Sequence, residues 1–157
     1  MGNQEVIISE DIEKELTAAF SRCVYDKLFV LVDKTTEKNC LPLVSGLEDV
    51  KKGKLIVIGS TDVHKTLETL AYVWTELGNC GGTRHSLLVI IGGGMVTDLG
   101  GFAASTFKRG INYINIPTTL LSMVDASVGG KTGINFNGLK NEVGVFDAAN
   151  SVIIETN

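Results

Sequence analysis

The 157-residue sequence has little proline, few aromatic side chains and few charges, and it lacks long apolar runs. With only two prolines and 44% apolar residues, it does not resemble a disordered or collagen-like chain. Its apolar runs, such as Leu87–Ile91, fall far short of the roughly 18 residues that span a bilayer. The N-terminus resembles no signal peptide. We therefore expect a globular, cytoplasmic protein with no membrane partner.

The sequence also lacks an excess of basic residues and an interpretable cysteine or histidine pattern. Its formal net charge of −4 argues against a nucleic-acid partner. Cys23, Cys40 and Cys80 are odd in number and widely spaced, so neither a disulfide framework nor a zinc knuckle is indicated. His64 and His85 lie far apart, and no metal site is predicted from this chain. The length suits a single domain over residues 1–157.

Glycine, in contrast, is abundant and unevenly distributed. Eleven of the 18 glycines lie between Gly92 and Gly144. The segment from Ser86 to Leu139 is poor in charge. Its charged residues are Asp98, Lys108, Arg109, Asp125 and Lys131. Charges in a mostly apolar segment need partners, which makes each of these five a candidate for a specific role.

Apolar runs and helical spacings alternate along the first 120 residues. Predicted strands are Val6–Ile8, Leu28–Val32, Leu55–Ile58, Leu87–Ile91 and Tyr113–Ile116. Predicted helices run from an N-cap at Ser9 to about Arg22, from Leu67 to Leu77 and from Met95 to Phe107. This alternation predicts an α/β fold with a doubly wound, mostly parallel sheet. Ligands of such sheets bind at the carboxyl ends of the strands.

The turn Gly92–Gly94 follows one of these strands and precedes a helix. Three glycines remove the Cβ atoms that would keep a ligand from the backbone, and the helix presents free N–H groups there, which suits a pyrophosphate. Thr97 occupies the last glycine position of the dinucleotide fingerprint, and the P-loop spacing is absent, so a simple tight turn is an alternative. Asp98 could cap N–H groups or contact a cofactor.

A second polar cluster follows Pro117. Asp125 and Lys131 lie among small and apolar residues, so they either pair with each other or face a polar ligand. In the second case Lys131 would reach a phosphate and Asp125 would accept a hydroxyl proton or hydrogen bond. Lys140 and Asn141 add another polar pair. Arg109 could bind an anion or simply compensate a helix C-terminus.

Five sequence blocks in order closely resemble the 3-dehydroquinate synthase family. They are Gly92–Phe102 (GGGMVTDLGGF), Arg109-Gly110, Pro117–Leu121 (PTTLL), Val124–Thr132 (VDASVGGKT) and Lys140-Asn141. The resemblance implies a Rossmann-like NAD-binding domain of an enzyme that uses NAD and a divalent metal, zinc or cobalt. The substrate would be 3-deoxy-D-arabino-heptulosonate 7-phosphate, a phosphorylated seven-carbon keto acid, and the products 3-dehydroquinate and phosphate.

The resemblance also implies roles for individual residues. Cofactor-binding residues would be Asp33, Asp62, Lys65, Gly93, Gly94, Met95, Asp98, Thr118, Thr119, Lys131 and Lys140. Substrate-side catalytic residues would be Asp125, Lys131, Asn141 and Arg109. The family's arginine at the position of Arg109 serves a neighbouring subunit, which implies a homodimer.

Several features depart from the family pattern. Asp62 stands where glutamate is more common, Thr97 replaces a glycine, and a Gln-Pro pair after the Lys-Asn block is missing. The family's metal ligands, one glutamate and two histidines, belong to a helical C-terminal domain that residues 1–157 do not include. We therefore expect this chain to be an N-terminal cofactor domain that is inactive alone.

Three other readings stay open. A related sugar-phosphate cyclase, such as an inosose or valiolone synthase, would share the NAD core and differ in substrate. A non-catalytic nucleotide-binding module would use Asp125 and Lys131 only as an internal ion pair. Iron-dependent alcohol dehydrogenases share the architecture, but the block from Val124 to Thr132 does not match them.

Overall fold

A computed structural model describes residues 4–128 and 131–155, apart from the side chains of 126–128 and 131. Six parallel strands form one sheet in the order β1-β8-β5-β4-β2-β3. They are β1 (Glu5–Ser9), β2 (Leu28–Asp33), β3 (Lys54–Ile58), β4 (Leu87–Gly92), β5 (Asn112–Pro117) and β8 (Ser151–Glu155). Every residue of β2 and of β4 is buried, as expected of central parallel strands covered on both faces.

Helices cover both faces of the sheet. They are α1 (Ile12–Arg22), α2 (Lys34–Asn39), α3 (Glu48–Lys52), α4 (Leu67–Asn79), α5 (Gly94–Thr106) and α6 (Leu120–Val128). One core contains side chains of α4 and α5, and a second, on the opposite face, contains side chains of α1 and α3. Two cores on opposite faces confirm the predicted doubly wound α/β sheet. Among the described residues, no helix has the length and apolar character needed to cross a bilayer.

The predicted helix boundaries need small corrections. Asp11, not Ser9, is the N-cap of α1, because its carboxylate accepts from the Lys14 amide, whereas Ser9 is the last residue of β1. Helix α4 continues to Asn79, and α5 begins at Gly94 and ends at Thr106. Glycines therefore lie inside the first turn of α5 rather than only in the preceding loop.

A two-stranded antiparallel hairpin follows α6 and was not predicted. It consists of β6 (Lys131–Phe136) and β7 (Leu139–Phe146), with Phe136 opposite Leu139. Asn137 and Gly138 join the strands with φ angles of 54° and 78°, the left-handed pair that a type I′ turn requires. The hairpin packs against α5, where a Cβ on Gly101 would lie 2.6 Å from Thr132 Cγ2. Its strands therefore lie over the helix that begins at the glycine turn.

Candidate functional site

The carboxyl ends of β4 and β5 form the floor of the candidate site. The Thr118 amide donates to the Gly92 carbonyl at 2.9 Å, which fixes the two strand ends to each other. Thr119 then caps α6, since its Oγ1 accepts from the Ser122 amide while Ser122 Oγ accepts from the Thr119 amide. These reciprocal bonds determine where α6 starts and place its first turns beside the site.

The N-terminus of α5 begins at this floor. Gly93 is its N-cap, and a Cβ there would lie 3.1 Å from the Thr119 methyl group. A Cβ on Gly94 would meet nothing within 4 Å, and Gly94 lines a cavity. The free N–H groups at a helix start attract anions. The absence of side chains at Gly93 and Gly94 therefore leaves a backbone cradle that fits a pyrophosphate.

Lys65 is a buried cation at the edge of this cavity. Its Nζ donates to Asp98 Oδ2 at 2.8 Å and makes a short hydrogen bond to Asn141 Oδ1. Its side chain is only 5% exposed, whereas that of Asp98 is 36% exposed. A lysine so deeply buried needs these partners to remain charged. Asp98, on the second turn of α5, is consequently joined to the hairpin through Lys65.

Asp98 lies in an electrostatic environment that opposes its ionisation. Burial raises the pKa of Asp98 above its ordinary value, the hydrogen bond and positive charge of Lys65 lower it, and the Asp125 and Asp62 carboxylates raise it again. Asp125 and Asp62 are therefore close enough to Asp98 for their charges to act on it. Three carboxylates and one buried ammonium are thus brought close together, although Asp98 and Asp125 are distant in sequence from Asp62 and Lys65.

A cavity of about 680 Å³ opens beside these groups. Four predicted site residues line it, namely Gly94, Asp98, Asp125 and Asn141. Asn115 of β5 lines it as well, and among the described residues its Oδ1 is a buried side-chain oxygen without a hydrogen-bond partner. A buried acceptor of this kind can receive a hydrogen bond from a ligand or water. The cavity has the size and polarity of a small-molecule site.

The other predicted residues that the structure describes are not part of the cavity lining. Asp33, which is buried, caps α2 in a capping box with Thr36, with Oδ1 accepting from the Thr36 amide at 2.7 Å. Met95, in the first turn of α5, packs partly buried against the core. Lys140 is exposed on β7. The Lys131 side chain lies outside the described part of the chain, so the two alternatives for Lys131, pairing with Asp125 and facing a polar ligand, both stay open.

Arg109 is placed apart from this cavity. It follows α5 in a short 3₁₀ turn, where Lys108 and Arg109 both adopt left-handed backbone angles, with φ of 51° and 69°. Its side chain is exposed and does not line the cavity of its own chain. The two basic residues lie within three positions of the C-terminus of α5, so both predicted roles of Arg109, anion binding and compensation of the helix end, stay open.

Several site residues were missed in the sequence. Thr132, Asn135 and Glu142 belong to the hairpin, and Asn115 belongs to β5. The dipeptide Asn137-Gly138, a strong signal for a type I′ turn, could have revealed the hairpin. No comparable signal marks Asn115, because a polar residue on a buried strand becomes informative only once its surroundings are known.

No group of three or more His, Cys, Asp or Glu side chains within the described ranges could hold a metal ion. The Asp98 carboxylate is bonded to Lys65 and the Asp62 carboxylate to Asn135, rather than both being arranged around a common point. These residues therefore fit a dinucleotide at the glycine turn but do not form a metal centre.

Comparisons with known proteins agree with this geometry. Residues 55–157 match the family model of the 3-dehydroquinate synthase N-terminal part. A curated 3-dehydroquinate synthase from Parabacteroides distasonis is 55% identical over 146 residues, covering 93% of this chain and 41% of that protein. The chain thus spans about two fifths of the length of this relative.

Solved structures of sugar-phosphate cyclases share the fold. The 2-epi-5-epi-valiolone synthase of Streptomyces hygroscopicus, solved with NAD⁺ and Zn²⁺ bound, is 28% identical with a TM-score of 0.84. The match covers 99% of this chain and 43% of that one. A 2-deoxy-scyllo-inosose synthase is 23% identical with a TM-score of 0.87, covering 96% of this chain and 43% of its own. The matched family model, the curated relative and the glycine turn beside a polar cavity agree: this chain belongs to the 3-dehydroquinate synthase family.

Proposed function

We propose that this chain is the NAD-binding domain of an enzyme that converts 3-deoxy-D-arabino-heptulosonate 7-phosphate to 3-dehydroquinate and phosphate. The observation that carries the proposal is the open backbone cradle at Gly93 and Gly94, beside a cavity lined by Asp98, Asp125 and Asn141. The 55% identity to a 3-dehydroquinate synthase, against 28% to a valiolone synthase, favours this substrate over those of related cyclases.

The residues of the chain divide between cofactor and substrate. The N–H groups at the start of α5 bind the pyrophosphate, and Asp62, on the 3₁₀ turn Asp62–His64, accepts a hydrogen bond from the ribose. Lys65 holds Asp98 at the cofactor side of the cavity. When bound, NAD supplies the reversible oxidation of a substrate hydroxyl. Asp33, Met95, Thr118, Thr119 and Lys140 complete the proposed cofactor contacts.

The substrate lies on the hairpin side of the same cavity. Asp125 accepts the proton or hydrogen bond of a substrate hydroxyl, and the Asn141 amide fixes the orientation of a polar group. Lys131 contributes a positive charge toward the phosphate. Arg109, exposed and outside this cavity, is directed to the site of a second subunit in a homodimer. Metal-binding residues are supplied from outside residues 1–157.

A binding experiment with two matched glycine variants tests the cofactor site. Gly94→Ala fills the space that the pyrophosphate would occupy, whereas Gly78→Ala adds the same methyl group at an exposed helix position with nothing within 4 Å. We expect isothermal titration calorimetry to show NAD⁺ binding to the chain and to Gly78→Ala, with affinity lowered about tenfold or more in Gly94→Ala. Both variants should keep the free energy of unfolding within about 1 kcal/mol of the parent.

Equal NAD⁺ affinity in Gly94→Ala and Gly78→Ala, or no binding to the parent chain, would contradict the proposal. Activity provides a second arm. We expect phosphate release from the heptulosonate phosphate by a protein of the relatives' length that contains this chain and a divalent metal. Metal-dependent release by residues 1–157 alone would refute the assignment of the metal ligands to another part of the protein.

A further inference from the structure

Asn135, at the end of β6, joins three parts of the candidate site. Its amide N–H donates to the Lys65 carbonyl at 2.8 Å. Its side-chain Nδ2 donates to Asp62 Oδ2 at 3.1 Å, and its Oδ1 accepts from the Asn141 amide at 2.9 Å. One residue of the hairpin therefore contacts both ends of the turn that carries Asp62 and Lys65, and also the neighbouring strand.

The chemistry of these contacts requires an asparagine. The Asp62 carboxylate needs a donor and the Asn141 N–H needs an acceptor, and an amide side chain supplies both at once. Asn141 has a left-handed backbone with φ of 53°, which is uncommon for a residue other than glycine. The hydrogen bond from its N–H to Asn135 helps to hold this conformation, which directs the Asn141 side chain to Lys65.

The contacts form a continuous series. Asp62 bonds to Asn135, Asn135 to Asn141, Asn141 to Lys65, and Lys65 to Asp98. The first member is the proposed ribose contact, and the last lies at the proposed cofactor side of the cavity. If Asn135 were displaced, Asp62 and Asn141 would each lose a hydrogen bond to the same side chain.

We propose that Asn135 is a positioning residue that sets the geometry of Asp62 and Asn141 for cofactor and substrate binding. It acts through these residues and touches neither ligand. The proposal rests on the proposed function for its binding consequence, but the positioning of Asn141 is a property of the chain itself and can be measured without ligand.

The test exchanges donor and acceptor between Asn135 and Asp62. Asn135→Asp keeps an acceptor for Asn141 but places a second carboxylate against Asp62. Adding Asp62→Asn restores a donor facing an acceptor, with the two groups exchanged. Asn137→Asp, in the exposed turn of the same hairpin, makes the same chemical change away from Asp62 and is the control.

We expect Asn135→Asp to lower NAD⁺ affinity about tenfold or more and Asn137→Asp to change it less than about twofold. The double variant Asp62→Asn/Asn135→Asp should bind NAD⁺ as tightly as Asp62→Asn alone, because the exchanged pair removes the repulsion. Equal affinities in the parent and Asn135→Asp, or a double variant that binds NAD⁺ more weakly than Asp62→Asn alone, would overturn the positioning role.

Amide hydrogen exchange at Asn141 separates this proposal from the proposed function. We expect exchange at this amide to be accelerated about tenfold or more in Asn135→Ala, which removes the acceptor, while amides of β4 keep their protection. A parent chain that fails to bind NAD⁺ but shows this exchange response would refute the proposed function and leave the positioning of Asn141 intact. Unchanged exchange at Asn141 would refute the positioning itself.

Discussion

At the scale of single residues, the buried ammonium group of Lys65 acts directly on the ionisation of Asp98. It lowers the pKa of Asp98 against the effect of burial, which raises it. Because the folded-state pKa of Asp98 is raised overall, ionised Asp98 costs stability. This cost is absent at a pH below the unfolded-state value and fully present above the folded-state value. Lys65 reduces that cost at neutral pH.

The substitution Lys65→Met should therefore destabilise the protein more at neutral than at acidic pH. Without Lys65 the pKa of Asp98 rises further, so the free energy of unfolding falls by about 1–2 kcal/mol more at pH 7 than at pH 3.5. Urea denaturation at the two pH values measures this difference. Removing the desolvation cost of the buried lysine changes the free energy of unfolding equally at the two pH values. The difference between them therefore reports the interaction of Lys65 with Asp98.

Lys51→Met is the matched control for this measurement. Lys51 forms an exposed ion pair with Glu48 at 3.7 Å, and such pairs contribute little. Lys51→Met should lower the free energy of unfolding by no more than about 0.5 kcal/mol, nearly independently of pH. A pH-independent effect of Lys65→Met, matching the control, would show that Lys65 does not act on the ionisation of Asp98.

At the scale of elements, five strands of the parallel sheet and helices α1, α4 and α5 were predicted, because buried strands are continuous apolar runs and these helices show regular spacing. Strand β8 and helices α2, α3 and α6 were not predicted. Nor was the hairpin, because β7 is exposed along its whole length and carries no pattern of buried residues. Likewise, the contact of Lys65 with Asp98 joins residues 33 positions apart and depends on the packing of α5. The family resemblance predicted that both residues contact the cofactor, but not that they pair with each other.

The hairpin depends on two glycines that face each other. Gly133 pairs with Gly144, and a Cβ on Gly144 would collide with the Thr132 carbonyl oxygen. Because that contact is with backbone, a side-chain rotation cannot relieve it. Gly144→Ala should therefore separate β6 from β7 while the parallel sheet remains folded.

Amide hydrogen exchange in Gly144→Ala measures the stability of the hairpin and of the parallel sheet separately. We expect the amides of β6 and β7 to lose about 2 kcal/mol of protection and the amides of β4 to keep theirs. Gly138→Ala, in the turn, is a milder change for comparison. Gly138 has φ of 78°, but a Cβ there would meet nothing within 4 Å, so this substitution should lower the free energy of unfolding by only about 1 kcal/mol. Equal protection of β6 and β7 in the parent and in Gly144→Ala would contradict this assignment of the glycine pair.

At the scale of the whole molecule, large apolar side chains are exposed on α6 and on the hairpin. Leu120 and Leu121 are 79% and 73% exposed, and Phe146 is 75% exposed. Exposed apolar surface of this kind favours association. We therefore expect the chain in isolation to self-associate as its concentration rises, with light scattering showing species larger than 16.8 kDa.

Polar substitutions locate the associating surface. Leu120→Gln with Leu121→Gln should shift association to about tenfold higher protein concentration, because both side chains are exposed and contribute little to the core. Val24 lies in a loop and its side chain is 96% exposed. Val24→Gln therefore removes an exposed apolar group away from α6 and should leave the association unchanged. A monodisperse monomer at all concentrations would refute the expectation.

The position of β1 in the sheet has a consequence for biosynthesis. Within the described sheet, β1 pairs along its length with β8 alone, so the described strand that comes first in sequence is joined to the one that comes last. While the chain is being synthesised, residues Glu5–Ser9 must wait for Ser151–Glu155 to emerge before they find this partner. The central strands β2, β4 and β5 can assemble earlier, because their pairing partners are closer in sequence. We therefore expect the middle of this sheet to assemble first during synthesis, with β1 among the last of the described strands to be protected.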